Sequence, residues 1–581
     1  MLNLAHDHAR LNGREARVAT ALHDAFGRYQ AQFTALTRRA RRRFEMRDWS
    51  AAQADATERL ALYRDHVNHA LEEVGSLLGN DATDVPTWEA IRWLHAALIV
   101  ERDDWELAET FYNSVARRIF STVGVNERVE YVHPPSEPAS AEEDPGIWRR
   151  YPPSAGTTAL VRQMLSDVRW RVAYRDIDAD ASAAATRIEQ GVAAAWGDAT
   201  YDAIEMLKPV FFRNKGAYLV GRIRRGREML PLLLPLLNGE SGIMVDAVLT
   251  TSDEASIVFG FSWSYFQVDI SHPRALVAFL ASIMPLKRID ELYTAIGYNK
   301  HGKTELYQAL KARMDRTPAA FDFTAGDQGL VMAVFAFPAM QVVFKVIKDS
   351  FGAPKRITRQ GVMDKYRFVF VRDRVGRLAD AQEFEHLEFD RARFSEKLLH
   401  YLREVAGTAV QVSDDRVVLR HLYTERQVTP LNVYLRDADP RAAADAIIDY
   451  GLAIKDLAAA NIFTGDMLLK NFGVSRHGRV ICYDYDELCL LTDCNFRAIP
   501  QPRTPEDEMA SEPWYHVGEM DVFPEEFGAF LVPAGELREV FLAHHADLLT
   551  VDFWSGTQRR IQSGELCDVF PYRSSRRLSV A

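Results

Sequence analysis

Residues 1–125 carry apolar side chains at helical spacing. Steps of three or four positions place such residues on one helix face, and near the start of the chain they are Val18, Leu22, Phe26, Tyr29, Phe33 and Leu36. Similar spacing returns over residues 88–120, 157–170 and 179–204. Residues 208–270 add short runs typical of strands at 217–223, 243–251 and 256–261, and prolines between 131 and 154 predict a long loop. The sequence therefore predicts a mainly helical domain over residues 1–315.

The pattern changes near residue 316, where a second unit begins. From there the chain reads as a glycine-containing turn, an apolar strand with a lysine, a helix, further strands and then helices. No segment repeats at a fixed period, which argues against a solenoid. We therefore expect an α+β fold with two domains, residues 1–315 and 316–581.

Charge and hydropathy exclude several function classes. The 70 Lys and Arg against 81 Asp and Glu give a net charge of −11, so nucleic acid or an anionic membrane is not expected as a partner. The longest apolar runs, at 229–237, 275–286 and 330–344, are shorter than the roughly 18 residues of a membrane span. The start of the chain lacks the pattern of a signal peptide, and the few cysteines match no zinc spacing. These features predict a soluble protein of the reducing cytoplasm.

The segment 460–487 carries the clearest chemical pattern. Asp466 is followed five residues later by Asn471, and Asp484 ends the next apolar run. Protein kinases place a catalytic Asp, a metal-binding Asn and a metal-binding Asp in a similar order. We expect Asp466 to accept the proton of a substrate hydroxyl, and Asn471 and Asp484 to bind Mg²⁺, after a hairpin turning at residues 477–478 returns Asp484 beside Asn471.

Kinase chemistry also needs a lysine on an upstream strand. In the strand-like run 342–348, Lys345 and Lys348 lie on opposite faces; we favour Lys345 as the phosphate ligand and keep Lys348 as the alternative. A short glycine loop precedes this strand and could fold its amides over phosphate; its residues are Thr324, Ala325, Gly326, Asp327, Gln328, Gly329 and Leu330.

Several points stay open on the residues alone. The carboxylate that pairs with Lys345 could be Glu383, Glu385 or a residue on the helix after residue 355, and the adenine-binding hinge is expected within 420–431 through backbone groups. The Asp484-Tyr-Asp486 triplet could instead be a glycosyltransferase metal motif. Residues 567–573 have the spacing of a cysteine phosphatase loop, but without its glycines a structural cysteine is favoured. The acidic and aromatic segment 506–526 is either a solvated loop or an arm that docks a partner protein.

Stretches spread along the chain are specific enough to identify a family, among them RFEMRDW (43–49), ETFYNSV (109–115), FFRNKGAYLVGRI (211–223), VFKVIKD (343–349), LAAANIFTGDMLLKNFGVSRHGRV (457–480), YDYDE (483–487) and SEPWY (511–515). With them, the chain resembles the bacterial isocitrate dehydrogenase kinase/phosphatase family over nearly its full length. The resemblance implies a cytoplasmic serine kinase and phosphatase acting on isocitrate dehydrogenase, at the branch between the citric acid cycle and the glyoxylate bypass. It also implies a helical regulatory domain followed by a bilobal protein-kinase-like domain.

The resemblance further implies particular ligands and residues. One nucleotide site for ATP and ADP, with Mg²⁺, serves both activities; the loop 324–330 matches its nucleotide loop, and Lys345 matches its ATP lysine. Asp380 matches an aspartate of the phosphatase reaction, although a helix-capping role is the plain alternative. Asp486 could serve the same water or a second metal. AMP is expected as an effector near the domain junction, the arm 506–526 as the recognition loop, and a homodimer as the assembly.

Two rival functions remain on the sequence. A kinase-like phosphotransferase for a small metabolite would not need the acidic and aromatic arm. A binding protein that had lost catalysis is disfavoured because every expected catalytic residue type is present. The main departure from the family pattern is Thr464, at a position where a proline is expected.

Overall fold

The computed structural model describes residues 13–132, 146–154, 156–260, 265–324, 329–352, 357–502, 504, 514–531, 535–566 and 568–578. Among these residues, no helix combines the length and apolarity that crossing a membrane requires.

Four helices form the first part of the chain: α1 (Arg14–Met46), α2 (Trp49–Leu78), α3 (Val85–Ile99) and α4 (Trp105–Phe120). Aspartates start two of them, since Asp48 accepts a hydrogen bond from Ala51 N and Asp84 from Thr87 N. The apolar face predicted for residues 18–36 is buried against the other helices, with Phe26 and Leu22 fully buried. The helical start is therefore confirmed.

A six-stranded antiparallel sheet follows the helices. Its order is β1-β2-β4-β5-β6 with β3 beside β4, and its strands are β1 (Trp148–Tyr151), β2 (Ala203–Leu207), β3 (Phe211–Arg213), β4 (Gly216–Arg225), β5 (Glu228–Gly239) and β6 (Gly242–Val245). Helices α5 (Thr157–Asp167) and α6 (Ile177–Trp196) share an apolar core with one face of the sheet. This domain thus contains more strand than its pattern predicted.

Three local expectations for this region are corrected. The run 256–261 is expected as a strand, but its residues 256–258 belong to helix α7 (Ser252–Val258), which starts at a capping box of Thr251 and Glu254. The helix expected over 179–204 ends at Trp196, where Gly197 adopts a φ of 87°. The loop expected between 131 and 154 is interrupted by β1; residues 133–145 lie outside the described residues.

Three helices connect this sheet to the second half of the chain: α8 (Pro273–Ile283), α9 (Ile289–Ala295) and α10 (Asn299–Arg316). Another six-stranded antiparallel sheet then begins, in the order β10-β12-β9-β8-β7 with β11 beside β12. Its strands are β7 (Asp322–Phe323), β8 (Met332–Phe337), β9 (Val342–Ile347), β10 (Ala381–Asp390), β11 (Val410–Val412) and β12 (Arg416–Arg426). Helices α11 (Arg359–Arg372) and α12 (Glu396–Ala406) belong to the same lobe.

The last lobe is mainly helical, with α13 (Leu431–Asp437), α14 (Pro440–Ala459), α15 (Phe527–Phe530), α16 (Glu536–His545) and α17 (Val551–Gln562). Short strand pairs join the helices: β13 (Thr429–Pro430), β15 (Phe472–Val474) and β16 (Val480–Cys482) form one sheet, β14 (Ile462–Phe463) pairs with β17 (Cys489–Leu490), and β18 (Asn495–Phe496) pairs with β19 (Asp521–Val522). A sheet lobe followed by a helical lobe confirms the predicted α+β class.

Candidate active site

The hairpin β15–β16 brings two candidate metal ligands together. Phe472 pairs with Cys482, and the Tyr483 amide donates to the Asn471 carbonyl over 3.0 Å. Gly478 turns the chain with a φ of 72°. The ladder thereby sets Asn471 beside the residue that precedes Asp484, so the hairpin predicted from the sequence is confirmed.

Asp466 lies on a loop that several bonds hold in place. Its carboxylate accepts from the Leu468 amide over 3.2 Å, and its carbonyl accepts from Asn471 Nδ2 over 3.1 Å. The hydroxyl of the fully buried Tyr450 donates to the Met467 carbonyl. The side chain of Asp466 is half-buried, so these bonds hold a partly exposed carboxylate in a fixed position.

Lys345 connects the two lobes. Its Nζ lies 2.7 Å from Glu425 Oε2 and donates to the Tyr483 carbonyl over 2.7 Å. The Lys345 and Glu425 side chains are 8% and 3% exposed. Because Tyr483 adjoins Asp484, this contact places the expected phosphate lysine at the segment that carries the expected metal carboxylate.

The carboxylate that pairs with Lys345 was not among the candidates from sequence. Glu383 instead bonds to His421 Nε2 over 2.9 Å, and the partner is Glu425 on β12. Burial raises the pKa of Glu425, and Lys345 opposes that rise. The signal that could have found it is a lone glutamate two residues beyond Tyr423, which lies opposite Lys345 in the sheet. The sequence prediction treats residues 420–431 as a hinge that acts only through backbone groups, and it therefore does not consider the Glu425 side chain.

The residues after Asp380 form strand β10 and not a helix, so the helix that the capping alternative requires does not follow Asp380. Its segment runs parallel to β16: Leu378 pairs with Cys482, and the Ala379 amide donates to the Cys482 carbonyl over 2.8 Å. The Tyr485 hydroxyl donates to the Ala379 carbonyl over 2.5 Å. Two steps along this ladder lead to Asp380 on one strand and Asp484 on the other, so these two carboxylates end adjacent segments.

A buried arginine fixes that ladder to helix α14. Arg377 is 3% exposed and contacts Asp449 and Asp456 at 2.7 Å each, and its guanidinium donates to the Val480 carbonyl over 3.0 Å. These two carboxylates raise the pKa of Arg377 against the opposing effect of burial. Asp449 also accepts from the Val480 amide over 2.6 Å. Sequence reasoning did not single out this network, which joins residues distant in the chain.

The glycine loop lies between β7 and β8. Ala325, Gly326, Asp327 and Gln328 lie outside the described residues; Thr324 is half-buried, whereas Gly329 and Leu330 are exposed. Lys348, the alternative to Lys345, donates to the Gly329 carbonyl over 2.6 Å. It therefore contacts the end of this loop and is not the lysine bound at Glu425 and Tyr483.

The residues present fit Mg²⁺. Asn471 is 5% exposed and its Nδ2 is bonded to the Asp466 carbonyl, which leaves its Oδ1 as the atom for a cation. Asp484 is half-buried, and its Oδ1 accepts from the Asp486 amide over 3.4 Å. Amide and carboxylate oxygens are the ligands that Mg²⁺ takes, together with water and phosphate. Asp486 lies two residues after Asp484, on the same segment.

The described part of the acidic arm folds around one arginine. Arg497 lies 3.2 Å from Asp521 and donates to the His516 carbonyl over 2.7 Å. Its guanidinium also stacks on the rings of Tyr515 and Phe523, at 5.9 and 5.1 Å from their centroids. Residues 505–513 lie outside the described residues. The remainder of the arm is thus a structured surface element.

Two family sequence models match the chain. The model described as the isocitrate dehydrogenase kinase/phosphatase (AceK) kinase domain matches residues 319–574. The model described as the regulatory domain of isocitrate dehydrogenase kinase/phosphatase (AceK) matches residues 19–318.

Two curated relatives are similar over almost the whole chain. Both are named isocitrate dehydrogenase kinase/phosphatase. The protein of Anaeromyxobacter sp. (strain Fw109-5) is 49% identical over 567 residues, covering 98% of this chain and 98% of the relative. The protein of Anaeromyxobacter dehalogenans (strain 2CP-C) is 47% identical over 571 residues, covering 96% of this chain and 97% of the relative.

Proposed function

The chain belongs to the isocitrate dehydrogenase kinase/phosphatase family, and on that premise we propose that one cleft both phosphorylates a serine of isocitrate dehydrogenase and removes that phosphate. The chain is an enzyme with kinase and phosphatase activity. Its action on the dehydrogenase would control carbon flux between the citric acid cycle and the glyoxylate bypass.

A single observation carries the assignment of the cleft. Lys345 reaches across the cleft and bonds at once to Glu425 in the sheet lobe and to the Tyr483 carbonyl beside Asp484 in the helical lobe. Phosphoryl transfer depends mainly on positioning and on neutralising phosphate charge. A buried ammonium next to a metal-type carboxylate supplies both at one place.

We assign the kinase roles as follows. Lys345 grips the phosphates of ATP, while Glu425 keeps its ammonium oriented. Asp466 accepts the proton of the substrate serine hydroxyl, since its carboxylate is half-buried on a rigid loop. Asn471 and Asp484 hold the divalent cation, which when bound neutralises charge on the nucleotide phosphates. The loop 324–330 is assigned to the nucleotide phosphates, and its end at Gly329 and Leu330 is exposed.

We assign Asp380 and Asp486 to dephosphorylation. Hydrolysis needs a carboxylate that orients or deprotonates water. Leu378 and Cys482 form a parallel bridge, and Asp380 and Asp484 each lie two residues beyond it, so a water held by Asp380 would lie close to phosphate bound at Asp484. Asp486, two residues further, could share that water.

The effector AMP is assigned to a cleft between the two domains. The lining of this cleft includes Arg59, Lys215, Tyr265 and Arg374. Arg59 is 3% exposed, and among the described residues its Nε and Nη2 find no hydrogen-bond acceptor. Buried cationic groups beside an aromatic ring suit a phosphate and a purine.

The domain boundary is kept at residues 315 and 316, near the end of α10.

The protein partner is assigned to the acidic arm. Within its described part, Val517 is 46% exposed and Met520 is 38% exposed, next to the edge-to-face pair of Tyr515 and Phe523. Apolar side chains on a structured, charged element are typical of docking surfaces. We also propose a homodimer in the cytoplasm, as the family resemblance implies.

The test follows label on purified isocitrate dehydrogenase. Enzyme, Mg²⁺ and γ-labelled ATP are mixed with the dehydrogenase, and the mixture is then diluted into ADP. Label should appear and later leave, and Asp484→Ala should show neither step. Asp380→Ala should lose mainly the second step; equal loss of both steps would contradict the separate role of Asp380. Asp445→Ala, on exposed surface of α14, is the matched control and should behave as the unaltered enzyme.

The alternative of a kinase-like enzyme for a small metabolite is not favoured, because both curated relatives are named for isocitrate dehydrogenase. Binding of ATP without any label on the dehydrogenase would revive it.

A further inference from the structure

Two cysteines beside the cleft lie close enough to react with each other. Cys489 Sγ and Cys494 Sγ are 3.6 Å apart, and both thiols are free. A disulfide places its sulfurs about 2.05 Å apart, so a shift of about 1.5 Å would join them. We propose that Cys489 and Cys494 form a reversible disulfide that switches off the neighbouring catalytic loop.

The backbone between the two cysteines is held in the shape that brings them together. The turn Leu491–Asp493 returns the chain, and the Cys494 amide donates to the Leu491 carbonyl over 3.2 Å. Gln558 Nε2 donates over 2.7 Å to both the Leu491 and the Cys494 carbonyls. Asn461 Oδ1 accepts from the Thr492 amide over 3.0 Å. Such preorganisation lowers the entropy lost when the sulfurs bond.

The two thiols have different chemical characters. The hydrogen bond between the two thiols, helped by the nearby Lys365 ammonium, lowers the pKa of Cys489, whereas the same hydrogen bond and burial raise the pKa of Cys494. Cys489 is half-buried and Cys494 is 7% exposed. The more accessible thiol is thus the one that ionises more readily, as expected for an attacking cysteine with a buried resolving partner.

The reaction balances with a hydroperoxide as oxidant. The Cys489 thiolate attacks the O–O bond, which gives a sulfenic acid and an alkoxide that takes up a proton. The Cys494 sulfur then attacks the Cys489 sulfur, an S–S bond forms, and the S–O bond breaks to release water. Two electrons pass from the thiols to the hydroperoxide. A small thiol reductant reverses the step by thiol–disulfide exchange.

The disulfide would act on the active site through a short strand pair. Cys489 lies opposite Phe463 in the ladder β14–β17. Phe463 is three residues before Asp466, and Cys489 is five residues after Asp484. Pulling Cys489 toward Cys494 therefore strains both segments that carry the kinase carboxylates. Displacement of catalytic groups by about 1 Å can cost about a hundredfold in rate, so we expect both activities to fall by about tenfold to a hundredfold.

The disulfide is tested by peptide mass, which does not depend on the substrate of the enzyme. Full-length protein is treated with hydrogen peroxide, alkylated and cut with trypsin. One tryptic peptide, residues 480–497, contains Cys482, Cys489 and Cys494. It should become two hydrogens lighter and carry one alkyl group, on Cys482, in place of three. A link to Cys482 or Cys567, or a sulfinic acid on Cys489 without a link, would overturn the proposal.

The control of activity rests on the proposed function and is read separately. In the unaltered enzyme, the ratio of the activity after oxidation to the activity of the reduced protein should fall, and it should recover with dithiothreitol. Cys494→Ser should lose the link and keep its activity under oxidant, while Cys567→Ser, which leaves the pair intact, should behave as the unaltered enzyme. A linked enzyme with an unchanged ratio would overturn the switch. A reduced enzyme without activity would count against the proposed function and not against the disulfide.

Discussion

The ion pair between Lys345 and Glu425 gives the sharpest energetic prediction. Its atoms are 2.7 Å apart, and the side chains are 8% and 3% exposed. Removing one partner of such a pair leaves a buried charge without compensation and costs about 3–5 kcal/mol, whereas exposed pairs contribute about 0–1 kcal/mol. Glu425→Gln keeps the shape and removes the charge.

The size of the effect follows from what remains around the lysine. In Glu425→Gln the ammonium of Lys345 keeps the Tyr483 carbonyl as an acceptor, so a loss near the lower limit, about 3 kcal/mol, is expected. Burial already raises the pKa of Glu425, so removing its charge returns part of its desolvation cost. Nucleotide phosphates would supply the missing negative charge. ADP should therefore raise the Tm of Glu425→Gln more than that of the unaltered protein.

Hydrogen exchange measures this loss locally, which avoids fitting a two-domain chain to a single transition. Peptides from β9 and β12 report the opening free energy of the sheet. Glu396→Gln is the matched control, because Glu396 pairs with Arg391 at 2.8 Å but is 74% exposed. The double change Lys345→Met with Glu425→Leu should recover most of the loss. A cost for Glu425→Gln no greater than that for Glu396→Gln, or a double change as unstable as the single one, would contradict a stabilising buried ion pair.

Three further predictions follow from single residues. Arg377→Met leaves Asp449, which is 24% exposed, without its charged partner. The change should lower the stability by about 3 kcal/mol and should lower both activities together. Loss of one activity alone would contradict a role of Arg377 in placing the whole hairpin. Gly465→Ala should lower the stability of the loop by about 1–3 kcal/mol, because the φ of Gly465 is +67° and the added Cβ would meet the Glu487 Cβ at 2.8 Å. In Gly478→Ala the added Cβ would meet nothing within 4 Å. Comparing the two variants therefore separates the effect of the clash from that of the φ strain. Burial raises the pKa of Glu106 from 4.5 to about 7, so the folded chain holds this proton more tightly than the unfolded chain. The free energy of unfolding should therefore fall by up to about 3 kcal/mol as pH rises from 4.5 to about 7. If Tm depends on pH equally steeply in Glu106→Gln, this prediction is refuted.

Features with a local cause could be predicted from the sequence. Apolar spacing gave the helix α1, because a helix face depends on residues three and four apart. Strand alternation placed Lys345 and Lys348 on opposite faces, although all six residues of β9 are buried, and a turn at Gly478 predicted the hairpin β15–β16, which follows Asn471 and precedes Asp484. Each depends on contacts within a few residues.

Features that depend on distant contacts were missed. The contact between Lys345 and Tyr483 spans 138 positions, and no period in the sequence reports it. Glu425 is not found from the sequence for the same reason, and helix capping stays an alternative for Asp380 because the parallel bridge between Leu378 and Cys482 is invisible locally. The first sheet was underestimated because the buried run of β2 reads equally well as a helix.

The sequence by itself determined the candidate chemistry of this protein, because the proposed catalytic side chains lie in short ordered motifs whose spacing is set by one loop and one hairpin. Only the tertiary structure decided which groups contact one another. The partner of Lys345, the buried Arg377 network and the approach of Cys489 to Cys494 depend on the packing of elements that are not neighbours in sequence, or on a turn whose shape is held by such elements. Local sequence limits each segment to a few conformations, whereas burial and charge pairing across the fold select how the segments meet.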